Sequence, residues 1–179
     1  MRQTSFADFH CSLARSLDLI GDWWTPLILR DLALGLERFD DLAANLGISR
    51  NLLTTRLTGL VAANIVERVR YCDHPPRHLY RLTAAGRDLV PILVALTAWG
   101  DRWTPPPEGA PLLFSHDEHR CRPTVCCSTC GQAVTAETLK ATPGPGAAPG
   151  PGTRLVAGLI DRVAKDPKAS RAGHKSAGT

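Results

Sequence analysis

The feature that most constrains this sequence is a tight turn, Leu46–Ser49, set between two segments with helical periodicity. In residues 39–46 and again in residues 50–63, apolar side chains recur every three or four positions. Gly47 can adopt the positive φ that a sharp turn between two helices requires, and Ser49 is a good N-cap. The pattern therefore predicts a short helix, a turn and a second helix that runs from Ser49 to about Ala63.

The flanking segments predict a mainly α fold with one small β-hairpin. Two apolar helical stripes precede the turn, and they end at Gly21 and Gly35. After residue 64 the period changes to alternation in residues 65–71 and 79–82, with turn-forming residues between them. Thr83 can cap a final helix with a long apolar stripe. The stripe of this last helix consists of Leu89, Leu93, Leu96 and Trp99.

Helix, turn, helix and hairpin in this order predict a winged helix-turn-helix, in which the second helix enters the major groove of DNA. On a helical wheel, Leu53, Leu57 and Leu60 share one side, and the opposite side is polar without an acidic residue. Arg50, Asn51 and Thr54 are the predicted base readers, because Arg can pair with guanine, Asn can pair with adenine, and Thr offers a hydroxyl and a methyl group. Thr55 and Arg56 are assigned to phosphate contact or to orientation of the helix. The complete predicted DNA-contacting set is Ser49, Arg50, Asn51, Thr54, Thr55, Arg56, Arg77 and His78, the last two at the tip of the wing.

The distribution of charge supports this interpretation. The chain has 179 residues and a formal charge of +4, which permits nucleic-acid binding but does not argue for it alone. Residues 47–87 carry a net charge of +5, whereas residues 11–46 carry −3. Positive charge is therefore concentrated in the predicted recognition helix and wing.

Several motifs in this order resemble the HxlR family of bacterial regulators. They are residues 11–25 (CSLARSLDLIGDWWT), 29–32 (LRDL), 38–42 (RFDDL), 47–57 (GISRNLLTTRL) and 80–86 (YRLTAAG). The resemblance covers about residues 10–104. It implies a DNA-binding transcriptional regulator, expected to act as a repressor, that binds a two-fold-symmetric operator. It also implies a homodimer built from the terminal helices, although their apolar stripes can equally serve the protein's own core.

Composition divides the chain into three predicted parts. Residues 11–104 form the DNA-binding and dimerisation domain, and residues 105–111 a stiff proline-rich linker. Residues 112–140 form a Cys/His-rich extension. Residues 141–179 form a low-complexity, largely disordered basic tail, in which residues 153–164 have the spacing of a short amphipathic helix.

Two groups of cysteines predict further chemistry. Cys11 opens the first helix, where a helix N-terminus favours the reactive thiolate, and it matches a cysteine that serves some similar regulators as a redox or electrophile sensor. An inert, partly buried cysteine is the alternative. No role is assigned to Cys72.

In the extension, Cys127 and Cys130 have the spacing of a zinc knuckle, and Cys121 with His119 completes a candidate tetrahedral Zn²⁺ site. Cys126 leaves the ligand set ambiguous. A flexible reduced tail and a dithiol redox pair at Cys127 and Cys130 remain open alternatives.

Two other functions compete with regulation. A thiol-disulfide oxidoreductase would use Cys127 and Cys130, but a thioredoxin-like motif should follow a strand of a βαβ unit, and here it follows a proline-rich linker. A winged-helix adaptor for protein contact is disfavoured by Arg50 and Asn51. No other catalytic arrangement is recognisable, so we expect no enzyme. No apolar run reaches the ~18 residues of a membrane helix, and residues 1–10 lack the apolar core of a signal peptide, so we expect a cytoplasmic protein.

Overall fold

The computed structural model describes residues 5–165, with side chains to residue 160. The elements run in the order α1 (Ser12–Ile20), α2 (Thr25–Ala33), α3 (Phe39–Leu46), α4 (Arg50–Ala62), β1 (Val66–Asp73), β2 (Pro76–Leu82), α5 (Ala84–Trp103), β3 (Ser115–His116), β4 (His119–Arg120) and α6 (Val156–Lys165). Strands β1 and β2 form one antiparallel hairpin, and β3 with β4 forms a second, very short one. The predicted fold class, mainly α with a β-hairpin wing, is confirmed.

The core is built where α2, α3, α4 and the hairpin meet. Its buried apolar side chains are all aliphatic and come from each of these elements. Burying one such side chain contributes about 1.5–3 kcal/mol, so the shared core holds the helices and the wing together as one body. The buried apolar residues are Ile28, Leu29, Leu32, Leu42, Ile48, Leu53, Leu57, Leu60, Ile65, Val66 and Leu82.

The turn between α3 and α4 has the predicted geometry. Gly47 ends α3 with φ +62°, in the left-handed region that glycine adopts without steric penalty. Ile48 is buried beneath the turn, and the Ser49 hydroxyl accepts a hydrogen bond from the N–H of Leu52 at 3.3 Å. The start of α4 is therefore set by local chemistry.

A buried carboxylate joins α2 to α3. Asp31 is 1% exposed, accepts a hydrogen bond from Nη2 of Arg30 at 2.6 Å, and accepts another from the Asn45 amide at 2.7 Å. A buried charge is tolerated only when it is paired and hydrogen-bonded. This contact fixes α3 against α2 by a polar tie in addition to apolar packing.

The base of the wing is anchored to the loop between α2 and α3. Arg38 forms a β-bridge with Leu79, and the N–H of Tyr80 donates to the Glu37 carbonyl at 2.8 Å. The Arg81 guanidinium donates to both carboxylate oxygens of Glu37, at 2.9 and 3.1 Å, and this pairing raises the pKa of Arg81. One β-bridge and these hydrogen bonds thus hold the base of the hairpin against the loop between α2 and α3.

Helix α5 begins where the wing ends. The Thr83 hydroxyl accepts from the N–H of Gly86 and donates to the carbonyl of Asn64, which joins the helix start to the residues before the wing. A Cβ on Gly86 would lie 2.2 Å from the Ile65 carbonyl oxygen. Only glycine permits this close approach of α5 to the start of the wing.

The chain as a whole divides into two compact units. One unit holds Leu19–Ala133, and the other holds the described parts of Met1–Asp18 and Val134–Thr179. Helix α6 confirms the helix predicted at residues 153–164, and its first residue is Val156. Residues 166–179 of the predicted basic tail lie outside the described residues. Within residues 5–165, no helix is long and apolar enough to cross a membrane.

Gly86→Ala is expected to lower the free energy of unfolding by about 1–3 kcal/mol, because the new methyl group meets backbone rather than a movable side chain. Urea denaturation at fixed protein concentration measures the change. Gly59→Ala is the matched control. This glycine lies in α4 with open space around its Cβ position, and alanine there should stabilise by about 0.5–1 kcal/mol. Equal midpoints for both variants would contradict the close-approach argument.

Candidate nucleic-acid interface

Helix α4 presents the predicted polar face to solvent. Leu53, Leu57 and Leu60 are buried, and the predicted base readers Arg50, Asn51 and Thr54 are all exposed. Because buried and exposed residues alternate at helical spacing, the direction of the polar face follows from burial of the leucines. Thr55 and Thr58 are exposed on the same helix. The helix therefore offers hydrogen-bonding groups along one side, without an acidic residue among them.

The hydroxyl groups of α4 are partly committed to its own backbone. Thr54 donates to the carbonyl of Arg50 at 2.8 Å, and Thr55 donates to that of Asn51 at 3.0 Å. Each hydroxyl thus offers lone pairs, and each side chain a methyl group, to an incoming ligand. The side-chain amide of Asn51 has no hydrogen-bond partner within residues 5–165. An unpartnered amide can bind adenine through one donor and one acceptor.

Arg50, at the first position of α4, contacts the start of α3. Its Nη1 lies 2.6 Å from Oδ1 of Asp40, and its guanidinium carbon lies 4.7 Å from the centre of the Phe39 ring. The side chain nevertheless stays largely exposed. Neither contact follows from the sequence pattern.

Arg56 faces the other way from the base readers. Its Nε lies 3.2 Å from Oδ1 of Asp22, and its side chain is only 29% exposed. Asp22 also accepts from the N–H groups of Trp24 and Thr25 and from the Thr25 hydroxyl at the start of α2. Arg56 therefore ties α4 to the turn before α2. Of the two roles predicted for Arg56, phosphate contact and orientation of the helix, this position favours orientation.

The wing carries its charge at and near its tip. Arg77 is exposed next to the tip. It pairs with Cys72, just after the register of the two strands shifts between Arg70 and Cys72. His78 shares a hydrogen bond with Arg68 at 3.0 Å. Desolvation, followed by the charges of Arg68 and Arg70, lowers the pKa of His78, so it is neutral near pH 7. Of the predicted wing pair, Arg77 therefore carries the positive charge, whereas His78 offers a neutral hydrogen-bonding group.

A groove of about 760 Å³ runs between the start of α3, the polar face of α4 and the wing. Four arginines and two aspartates are among the residues that line it. Two of these arginines, Arg38 and Arg68, are not among the predicted DNA contacts. Alternation along β1 places Arg68 and Arg70 on one face, a signal that the sequence contains. Arg38 lies 5.9 Å from the centre of the Tyr71 ring on the wing, a contact that requires the tertiary structure.

Cys11 lies directly before α1, as predicted. Its carbonyl accepts from the N–H of Arg15 at 3.0 Å, and the half-buried residue lines an open cavity together with His10 and Arg15. Cys72 is half-buried near the wing tip, where its thiol lies 3.7 Å from the His74 carbonyl.

The predicted zinc ligands are brought together only in part. Cys127 and Cys130 share a turn closed by a hydrogen bond from the N–H of Gly131 to the Cys127 carbonyl at 2.8 Å. Backbone N–H groups of Cys130 and Thr129 lower the pKa of the Cys127 thiol. However, no group of three or more His, Cys, Asp or Glu side chains within residues 5–165 is arranged to hold a metal ion. The turn suits two thiolate ligands, whereas Cys121 and His119 do not complete the set, and zinc stays a prediction.

Comparison with known proteins places this geometry in a family. The sequence profile of the HxlR-like helix-turn-helix family matches residues 19–108. An uncharacterized HTH-type transcriptional regulator of Mycobacterium tuberculosis is 46% identical over 139 residues, which cover 75% of this chain and 87% of the relative. The regulator YdeP of Bacillus subtilis, also uncharacterized, is 31% identical over 94 residues, covering 52% of this chain and 73% of YdeP.

Two solved structures agree with this placement. The crystal structure of the candidate transcription factor PA1607 superposes with a TM-score of 0.67 at 34% identity, covering 78% of this chain and 99% of that one. The candidate transcription factor PA1374 from Pseudomonas aeruginosa superposes with a TM-score of 0.54 at 36% identity, covering 77% and 95%. The profile match spans α2 to α5, with the turn and the wing described above. The chain belongs to the HxlR-like helix-turn-helix family.

Proposed function

We propose that this protein is a transcriptional regulator that binds double-stranded DNA through α4 and the wing. The observation that carries the proposal is the outward polar face of α4, free of acidic residues, beside a wing with exposed arginines. Family membership supports the same function. In this arrangement α4 lies in the major groove, and the wing contacts the neighbouring backbone.

The two surfaces contribute differently to recognition. Arg50 has the chemistry to read guanine, Asn51 that to read adenine, and Thr54 offers a hydroxyl and a methyl group to a base edge, which together give sequence preference. Arg77 contacts phosphate, which adds affinity without sequence preference. Binding should therefore weaken steeply as salt concentration rises, because each phosphate contact releases a counterion.

A homodimer is supported by the second half of α5. Leu89 and Leu93 pack against the core, whereas another face of the same helix exposes an apolar stripe at spacings of four, three and four. Exposed apolar residues in a continuous row mark an interaction surface. We assign this stripe to a second copy of the chain, because two recognition helices are needed to read a two-fold-symmetric operator. The stripe comprises Ile92, Leu96, Trp99 and Trp103.

Enzymatic thiol exchange has weaker support. Cys127 and Cys130 lie in an irregular turn that follows the two-residue strands β3 and β4. A dithiol of the thioredoxin type would follow a strand and begin a helix. We therefore propose regulation alone, with repression by occupancy of the operator as its mode of action.

Arg50→Ala is expected to weaken binding to the operator by about 1–3 kcal/mol and to relax preference at one base pair. The operator is obtained by selecting genomic fragments that the purified protein retains, and affinity is then measured by fluorescence anisotropy. Arg77→Ala is the matched control, because it also removes one cation. It should weaken binding to all sequences alike and reduce the slope of log affinity against log salt by about one. Similar sequence preference in both variants would contradict the assignment of α4.

Leu96→Glu is expected to shift the protein from dimer to monomer in sedimentation velocity, because a charge would be buried in the subunit contact. Leu34→Glu is the control at a residue of similar exposure, 60% against 57%, outside the stripe. It should leave the sedimentation coefficient unchanged. A wild-type monomer, or a Leu96→Glu dimer, would rule out this interface.

Oxidant sensing by Cys11 is a separate proposal, supported by its position before α1 and by Arg15 in the same cavity. Diamide should weaken operator binding by the wild type, and Cys11→Ser should lose this response while retaining affinity. A gel-shift titration with and without diamide measures both. An equal response of the two proteins would exclude Cys11 as the sensor.

A further inference from the structure

An aspartate lies on the surface that is proposed to face DNA, where a negative charge should oppose binding. Asp40 and Asp41 occupy the first turn of α3 and line the groove between α4 and the wing. Oδ1 of Asp40 accepts a hydrogen bond from Nη1 of Arg50 at 2.6 Å, a contact that Asp41 does not share. The acid therefore touches the principal base reader.

The contact leaves the rest of the guanidinium available. Arginine carries five N–H donors, and recognition of guanine uses two of them. Asp40 engages Nη1, and Phe39 lies against the guanidinium carbon at 4.7 Å. Nε and Nη2 have no hydrogen-bond partner within the described part of the chain. Two contacts thus restrict the position of the group while its other edge stays free.

We propose that Asp40 is a positioning residue for Arg50, which it holds in the orientation that reads a base, with Phe39 supporting the guanidinium. The proposal rests on the proposed function of α4. Asp40 then raises the affinity for the operator over other DNA, because in the complex, where water is excluded, it restricts the guanidinium to the orientation that contacts its base. Retention of the Asp40 contact in the complex is the central requirement.

Two competing roles for Asp40 lead to different expectations. An acid in the first turn of a helix is stabilising in itself, and α3 has no side-chain cap, but Asp41 shares that role. Alternatively, Arg50 would leave Asp40 in order to reach the base, and Asp40 would act as a competitor that weakens binding. Exposure of the pair, 69% and 77%, makes it weak in free solution, whereas a bound duplex would exclude water and strengthen it.

The test compares affinities for a selected genomic fragment and for a random-sequence duplex of the same length. Asp40→Asn is expected to weaken binding to the selected fragment by about three- to tenfold. Binding to the random duplex should stay unchanged or become slightly tighter, because a negative charge is removed. The ratio of the two affinities therefore falls, which a folding defect would not produce. Asp40→Glu should restore much of the ratio.

Asp41→Asn is the matched control, because it removes the same charge from the same helical turn without a contact to Arg50. It should shift both affinities together and leave their ratio unchanged. In an Arg50→Ala background, Asp40→Asn should have no further effect on the ratio. Tighter binding of Asp40→Asn to the selected fragment, or an unchanged ratio, would overturn the proposal. A wild-type protein that retains no fragment would refute the regulatory function itself.

Discussion

Burial of Leu53, Leu57 and Leu60 is the constraint on which the rest of the structure depends, because it determines which side of α4 reaches solvent. Apolar burial alone leaves a helix some freedom to slide along its axis. The ion pair between Arg56 and Asp22 adds a second contact that opposes such sliding, since Asp22 is itself hydrogen-bonded to the start of α2. Apolar packing and one partly buried ion pair together position the outward face.

Much of this arrangement was predictable because its signals are local. The Gly47 turn, the Ser49 cap and the Thr83 cap each depend on residues within three positions, and the structure has all three. The contacts of long charged side chains were not predictable. Arg50 reaches Asp40 across the turn, and no periodicity encodes where a flexible side chain of one helix meets another.

The same distinction explains the cysteine-rich extension. The Cys127–Cys130 turn follows from spacing and from Gly131, whose φ is +71°. Convergence of Cys121 and His119 on that turn would depend on how the chain runs from the end of the short β3–β4 hairpin to the turn several residues later. Arg38 was missed for a related reason. The sum of charges along the sequence assigned it to an acidic segment, whereas in the fold its guanidinium lies near Tyr71 on the wing.

Helix α5 joins the hydrophobic core to the exposed stripe without interruption, since Leu93 packs inward and Leu96 faces out within one turn. In a dimer formed through this stripe, α5 would connect each core directly to the subunit contact. The packing of α5 on the core would therefore set the distance between the two α4 helices. The number of base pairs between the two half-sites of the operator would then depend on how α5 packs against the core. Substitutions on the surface of α4 would then change which bases are read, whereas substitutions in the core or in the stripe would change the spacer length.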